Sequence, residues 1–311
     1  MKEREFYLPS SDGTHKLRCM EWIPDGEVMA VLQITHGMVE HIGRYREFCE
    51  WMADHGIAVI GHDHLGHGKS VANAEEFGYF GAENGIINVV KDIRRVTVYA
   101  KKQYPDKKLV LLGHSMGSFL TRKYLSVYED GPDGFILMGT GAPQAALVSV
   151  GRLLAGSISR MKGELYRSPL LYKLSLGSYN AKFKPVKTPY DWLTRDLELS
   201  KSFGEDEMCQ YIFTATAYRD FFGLIIDVSK CEKAGRVRTD APILLISGDK
   251  DPVGEDGKGV QTVYHRLHMA GVEKLEMMLY EEARHEVLHE LNRSEVFKDL
   301  YEWITEKIIN N

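Results

Sequence analysis

Ser115 sits in the pattern Gly113-His114-Ser115-Met116-Gly117, between an apolar run (Leu109 to Leu112) and a helical one (Phe119, Leu120, Tyr124, Leu125, Tyr128). Strand, tight turn and helix in that order form a nucleophile elbow, which lifts a serine hydroxyl out at the turn. Gly113 and Gly117 have no Cβ, so strand and helix can pass closely on either side of a strained serine. The helix that starts at Met116 also aims free N–H groups at any anion formed there.

A serine hydroxyl is a poor nucleophile until a base takes its proton, and the base needs a carboxylate to hold its tautomer. With this elbow the chain order is serine, acid, histidine. Gly248-Asp249-Lys250-Asp251 follows an apolar run ending at Ser247, and Glu281-Glu282-Ala283-Arg284-His285 follows the next one. Both loops lie just past a strand end, the side of such a sheet where ligands bind. His285 is the expected base and Asp251 the expected acid. Asp249 is the alternative acid, but it lies nearer the strand, where an aspartate caps the turn. Two N–H donors are needed for an oxyanion. One is the amide of Met116; the other is the amide of Met38, in the loop His36-Gly37-Met38 after the third strand. His36 and Gly37 shape that turn on either reading.

Two histidine patterns imitate metal sites. His285-Glu286-Val287-Leu288-His289 matches H-E-x-x-H, which on a helix puts both histidines on one face. Only 22 residues follow His289 to supply a third ligand, and the serine constellation already uses His285. His62-x-His64-x-x-His67 has ligand-like spacing, but its glycines and its place after a strand favour a structural loop. The expectation is no metal and no organic cofactor.

The elements that must position these residues follow from periodicity. Glu3 to Leu8 and Lys16 to Trp22 read as a hairpin around Ser10-Ser11-Asp12-Gly13. Strands are expected at Val28 to Thr35, Ile57 to Ile60, Leu109 to Leu112, Phe135 to Met138, Pro242 to Ser247 and Leu275 to Tyr280. Helices are expected at Tyr45 to His55, stopped by Gly56, at Ile86 to Lys102, at Val260 to Met269 and from about Val287 to Ile308. Short apolar strands alternating with helices imply an α/β fold with a mostly parallel sheet covered on both faces. From about Gly141 to Asp227 the alternation breaks into helices and loops. The simplest division is a core of residues 1–140 and 228–311, with 141–227 inserted as a helical cap over the carboxyl ends of the strands.

A chain of 311 residues accommodates this core and its insertion. Met1 to Phe6 is charged and unlike a signal peptide, and no run nears the roughly 18 apolar residues that span a bilayer. Cys19, Cys49, Cys209 and Cys231 are scattered, as free thiols in a reducing cytoplasm would be. A net charge of −5 argues against general nucleic-acid binding.

Several motifs together carry a resemblance: His36-Gly37-Met38-Val39-Glu40-His41 with Arg44-Tyr45, Asp63-x-x-Gly66-His67-Gly68-x-Ser70, the elbow, Gly248-x-x-Asp251 and His285. They resemble the monoglyceride lipase and lysophospholipase branch of the α/β-hydrolases, also labelled serine aminopeptidase S33-like. The resemblance covers essentially the whole chain. It implies the α/β-hydrolase fold, a Ser115–Asp251–His285 triad, oxyanion donors at Met38 and Met116, and a helical cap that sets the substrate. One departure is Val39, where the family more often has glycine; a side chain there narrows the oxyanion loop.

The expected activity is hydrolysis of carboxylic esters, of the monoacylglycerol or lysophospholipid type, through an acyl-enzyme. Alternatives on the same scaffold are a small-ester carboxylesterase, a prolyl-iminopeptidase-like peptidase and a catalytically silent binding protein. The peptidase would need cap carboxylates to hold a free α-amine; Ala142 to Lys187 holds only Glu164, although Glu205, Asp206 and Glu207 lie further on. That stretch carries a net +7, leaving −12 elsewhere, and it is rich in leucine and tyrosine. A basic, apolar lid suits an acyl chain with an anionic head, or transient contact with an anionic lipid surface. A cap that merely packs on the core, with solvated lysines, is the plainer alternative.

Overall fold

The structure, a computed structural model, describes residues 1–310, so Asn311 at the end of the expected core lies outside the described residues. Eight strands form one sheet in the order β1-β2-β4-β3-β5-β6-β7-β8. β1 (Lys2–Pro9) and β2 (Lys16–Ile23) form the expected antiparallel hairpin, and β2 joins the sheet antiparallel to β4 (Ile57–His62). β3 (Ala30–Thr35), β5 (Lys108–His114), β6 (Gly134–Met138), β7 (Ile243–Gly248) and β8 (Leu275–Tyr280) complete a parallel array with β4.

The central strands are apolar throughout because both faces are covered. Alternation along each strand divides the core in two. Leu109 and Leu111 of β5 pack with α2 (Gly85–Gln103), α3 (Met116–Val127) and α8 (Lys258–Met269), as Val31 of β3 does. Val110 and Leu112, with Leu32 and Ile34, face the opposite layer, built from α1 (Arg46–Asp54) and α9 (Arg293–Ile304). β3 lies between β4 and β5, so the chain leaves it in one direction and returns on the other side. Loops after such neighbouring strands diverge and open a crevice at their carboxyl ends. The loops carrying Met38 and Ser115 flank it.

Between β6 and β7 the chain forms α4 (Ala145–Lys162), α5 (Pro169–Ser175), α6 (Leu197–Glu205) and α7 (Ala215–Lys233), with one isolated bridge, Arg167 to Thr214. The boundary drawn at Asp227 falls inside α7, whose C-terminal half packs on the core through Val228. Arg122 of α3 holds α7 there: it pairs bidentately with Glu232 at 2.6 and 2.9 Å and donates to Thr140 Oγ1 and the Gly141 carbonyl. The last helix also starts later than its periodicity suggests. Val287 to His289 is a separate 3-10 turn, and α9 begins at Arg293. Residues 285–289 therefore do not share a helix face as an H-E-x-x-H site requires.

Candidate active site

Ser115 adopts φ +52°, ψ −118° between β5 and α3, a strained conformation for a residue with a side chain. Its neighbours show why glycine is needed. A Cβ on Gly113 would run into the Gly117 carbonyl and the Thr121 hydroxyl, and one on Gly117 into the Thr35 carbonyl. Gly37 is as constrained: a Cβ there would sit 3.0 Å from Cβ of Ser115. The Met38 loop thus packs directly beside the serine. Among the described residues neither the Met38 nor the Met116 amide donates elsewhere in the fold.

Val39 has φ +58°, which explains why glycine suits this position. The valine keeps the left-handed turn while its side chain is buried and lines the cavity above Ser115.

His285 arrives on the loop after β8, and its Nδ1 lies 2.9 Å from both carboxylate oxygens of Asp251. Asp251 is fully buried and also accepts from Ser247 Oγ at 3.0 Å and the Val253 amide at 2.8 Å. Burial pushes its pKa up, but the His285 charge and hydrogen bond, with those two donors, bring it below the usual carboxylate value. Burial pulls His285 down; the charge and hydrogen bond of Asp251, reinforced by Glu286 and Glu40, outweigh this and raise it. Asp249 turns away to pair with Lys250 at 3.0 Å, so Asp251 is the acid that meets the histidine.

Ser115 and His285 line one cavity of about 290 Å³. Met38, Trp192, Leu193, Phe203 and Ile212 contribute apolar walls. Trp192, from the inserted segment, lies over His285 with ring centroids 5.1 Å apart. The lining includes no lysine or arginine among the described residues.

The histidine-rich loop after β4 is buried and bonded largely within itself, with His62 Nδ1, His64 Nε2 and His67 Nε2 left without a hydrogen-bond partner among the described residues. His36 Nδ1 donates to the Gly37 carbonyl, and its Nε2 accepts the His64 amide at 3.0 Å. His62 Nε2 and His64 Nδ1 share one hydrogen bond, while His67 Nδ1 donates to the Leu65 carbonyl. In the other imitation, His285 is committed to Asp251, and His289 lies against Glu286 and the Arg44 carbonyl. A third group, His41, Asp206 and Cys209, brings its donor atoms within 4.8 Å of one another. The Gly43 amide donates to Nδ1 of His41, so its proton sits on Nε2 and goes to Asp206 at 2.8 Å. That arrangement ties the core to the inserted segment and leaves no lone pair for a metal.

Periodicity and motif spacing missed the buried polar residues behind the site. Glu40 accepts from the Gly37 amide, from Tyr45 Oη at 3.0 Å and from His114 Nδ1 at 2.9 Å. Arg44 bridges Glu40 and Glu286. Glu40 and Arg44 stand inside the quoted motif, which was their only signal; Glu286 had none beyond adjacency to His285.

A family model described as serine aminopeptidase, S33 matches residues 26–292. Mouse monoglyceride lipase is 26% identical over 310 residues, covering 97% of this chain and 90% of its own. A monoacylglycerol lipase of Mycolicibacterium smegmatis is 26% identical over 293 residues, covering 91% of this chain and 90% of its own. Among solved structures, a thermostable carboxyl esterase from Bacillus coagulans, in complex with glycerol, superposes with a TM-score of 0.87 at 27% identity over 99% of both chains. This chain belongs to the serine aminopeptidase S33 family of α/β-hydrolases, in its monoglyceride lipase-like branch, and is a serine ester hydrolase.

Proposed function

We propose that the protein hydrolyses acyl esters of the monoacylglycerol or lysophospholipid type through Ser115, His285 and Asp251. The carrying observation is the His285–Asp251 pair, buried and hydrogen-bonded, facing the same apolar cavity as the strained Ser115. Asp251 fixes the His285 proton on Nδ1, which leaves Nε2 to take the Ser115 proton as Oγ attacks the ester carbonyl. The Met38 and Met116 amides stabilise the oxyanion. His285 then gives its proton to the leaving alcohol, and water activated by the same histidine releases the acid.

Ester rather than peptide chemistry is favoured by what the cavity lacks. Glu205 and Glu207 are exposed and off the lining, and Asp206 is bound to His41. Glu40 and Glu286, which do line it, are committed to donors of the fold. Among the described residues that line the cavity, no carboxylate is left to hold an α-amine.

The segment 141–227 acts in this reading as a lid that meets a lipid surface. On α4, Val148 and Ala155 pack inward, whereas Leu147, Leu153 and Met161 are 71%, 72% and 74% exposed. Leu170 and Leu174 on α5 add to that outward apolar surface. With no cation on the cavity wall, the basic residues of the segment suit an anionic surface better than an anionic head group in the site. The four cysteines are free and buried, which fits a cytoplasmic setting, and no described helix is long and apolar enough to cross a membrane.

A matched ester series tests the reading: p-nitrophenyl acetate through palmitate, then monoacylglycerol and lysophosphatidylcholine. Turnover that holds on the glyceryl or phospholipid ester supports it. A rate that peaks at acetate, with lipids untouched, makes the protein a small-ester carboxylesterase.

A further inference from the structure

Three loops must keep register for the proposed reaction: the oxyanion loop, the elbow and the histidine loop. One buried ionic network joins all three. Glu40 takes the Gly37 amide, beside the expected oxyanion donor, and His114, the residue before Ser115. Arg44 donates to Glu40 Oε2 at 3.0 Å and closes a fork on Glu286 at 2.6 and 2.8 Å. Glu286 adjoins His285, and its amide bonds the Leu193 carbonyl at 2.7 Å. Side chains of Glu40, Arg44 and Glu286 are 2%, 10% and 4% exposed. The Arg44 guanidinium also lies 4.6 Å from the ring of Phe203, a cavity wall.

Such a network is costly to bury, and its members need one another to remain charged. A guanidinium holds two carboxylates at fixed angles, which an ammonium does not. We propose that Arg44 is a positioning residue that locks the histidine loop to the oxyanion loop, and that Glu286, anchored by that lock next to His285, adds to the negative charge that Asp251 places on it. The side chains of Arg44 and Glu286 bond one another, Glu40 and His289 rather than Ser115 or the His285 ring, and the assignment rests on the triad reading above.

The groups around His285 make the effect specific. Asp251 bonds its Nδ1, the His114 ring lies 4.8 Å away, and Glu286 and Glu40 reach it through charge, with Arg44 behind both. Tyr179 lies in the field of Asp251 on the other side. Two carboxylates face one guanidinium, with His289 Nδ1 a further partner 3.1 Å from Glu286, and the carboxylates favour a protonated imidazole. The free enzyme needs neutral His285 to act as base, so activity falls as pH drops through its pKa.

Two conservative variants separate geometry from charge. Glu286→Gln keeps the shape and removes the charge; the acid limb of the kcat/KM profile should move to lower pH by about half a unit or more. Arg44→Lys keeps the charge and loses the fork; kcat should fall about tenfold with KM held within about twofold and the limb unmoved. Circular dichroism and Tm confirm folding of each, and either variant suffices to judge its own half. An unmoved limb in Glu286→Gln overturns the charge role, and an unchanged kcat in Arg44→Lys overturns the positioning role. Ser115→Ala run alongside keeps the two readings apart: turnover surviving there removes the triad itself, whatever the network variants do.

Discussion

Acidification should destabilise this protein earlier than its carboxylates alone would require. His36, His62, His64 and His67 are buried together. Burial lowers all four pKa values, to about 3 for His62 and about 4 for His67, and well below the ordinary value for His36 and His64. Desolvation of the charged imidazolium is the main reason, and the bonding of His36 shows what a second proton would break. His36 uses one nitrogen as donor and the other as acceptor, so it can take no second proton without losing the His64 amide. A depressed histidine pKa means that the unfolded chain binds the proton first. The stabilising contribution is therefore complete above pH 6.5 and is lost as pH falls from there toward the folded values. Linkage from an unfolded pKa near 6.5 gives a loss of about 1.4 kcal/mol per histidine at pH 5.5, or about 6 kcal/mol for the four. His15 and His285, whose values are raised, act the other way and offset part of this. A domain of ordinary stability holds about 5–15 kcal/mol, and each kcal/mol is worth about 2 °C at this size. The Tm should thus fall by several degrees, up to about 10 °C, between pH 7.5 and 5.5. His62→Gln should flatten that dependence by about one proton. A Tm constant to within a degree across this range, in wild type and variant alike, refutes the reasoning.

Other consequences are as concrete. Arg122→Met leaves Glu232 charged in the core with only the more distant Arg266, at 3.9 Å, to face it, so urea denaturation should show a loss of about 3 kcal/mol, with α7 loosened from α3. Val39→Gly removes about 1–2 kcal/mol of left-handed strain while giving up a buried side chain worth about 1.5 kcal/mol and adding backbone entropy. Its stability should stay within about 1 kcal/mol of wild type, far from the cost of the same change in a strand, as a thermal melt would show. The cavity lies at the low end of the roughly 300–1,000 Å³ common for ligand pockets, so rates along the acyl series should peak at medium chains and fall by palmitate. Asp251→Asn should lower kcat by about four orders of magnitude, whereas Asp249→Asn should change it less than about threefold.

The strands and the elbow were legible because the constraints on them are local. Leu109 to Leu112 must be apolar on both faces, and Gly113 and Gly117 sit where backbone carbonyls leave no room for a Cβ. The acid and base loops were legible because topology sends each strand end to the same edge of the sheet. Periodicity overran where tertiary bonds interrupt a helical pattern. The residues from Val287 to Asn292 look continuous with α9, yet the chain just before them is held elsewhere, the His285 and Glu286 amides bonding the Trp192 and Leu193 carbonyls. The docking of α7 on the core was not legible for a similar reason: Arg122 and Glu232 meet only in three dimensions, across 110 residues. The network of Glu40, Arg44 and Glu286 was invisible for the same cause, since a partner 242 residues away leaves no spacing to read.

The proposed reaction requires Ser115 to be a nucleophile that His285 activates. Labelling with a fluorophosphonate, followed by peptide mapping, measures this directly. One modified residue, Ser115, is expected, with ester turnover lost in step with labelling, and labelling slowed by orders of magnitude in His285→Ala. Turnover that survives with Ser115 fully modified, or a label found on another residue, would contradict the proposed reaction.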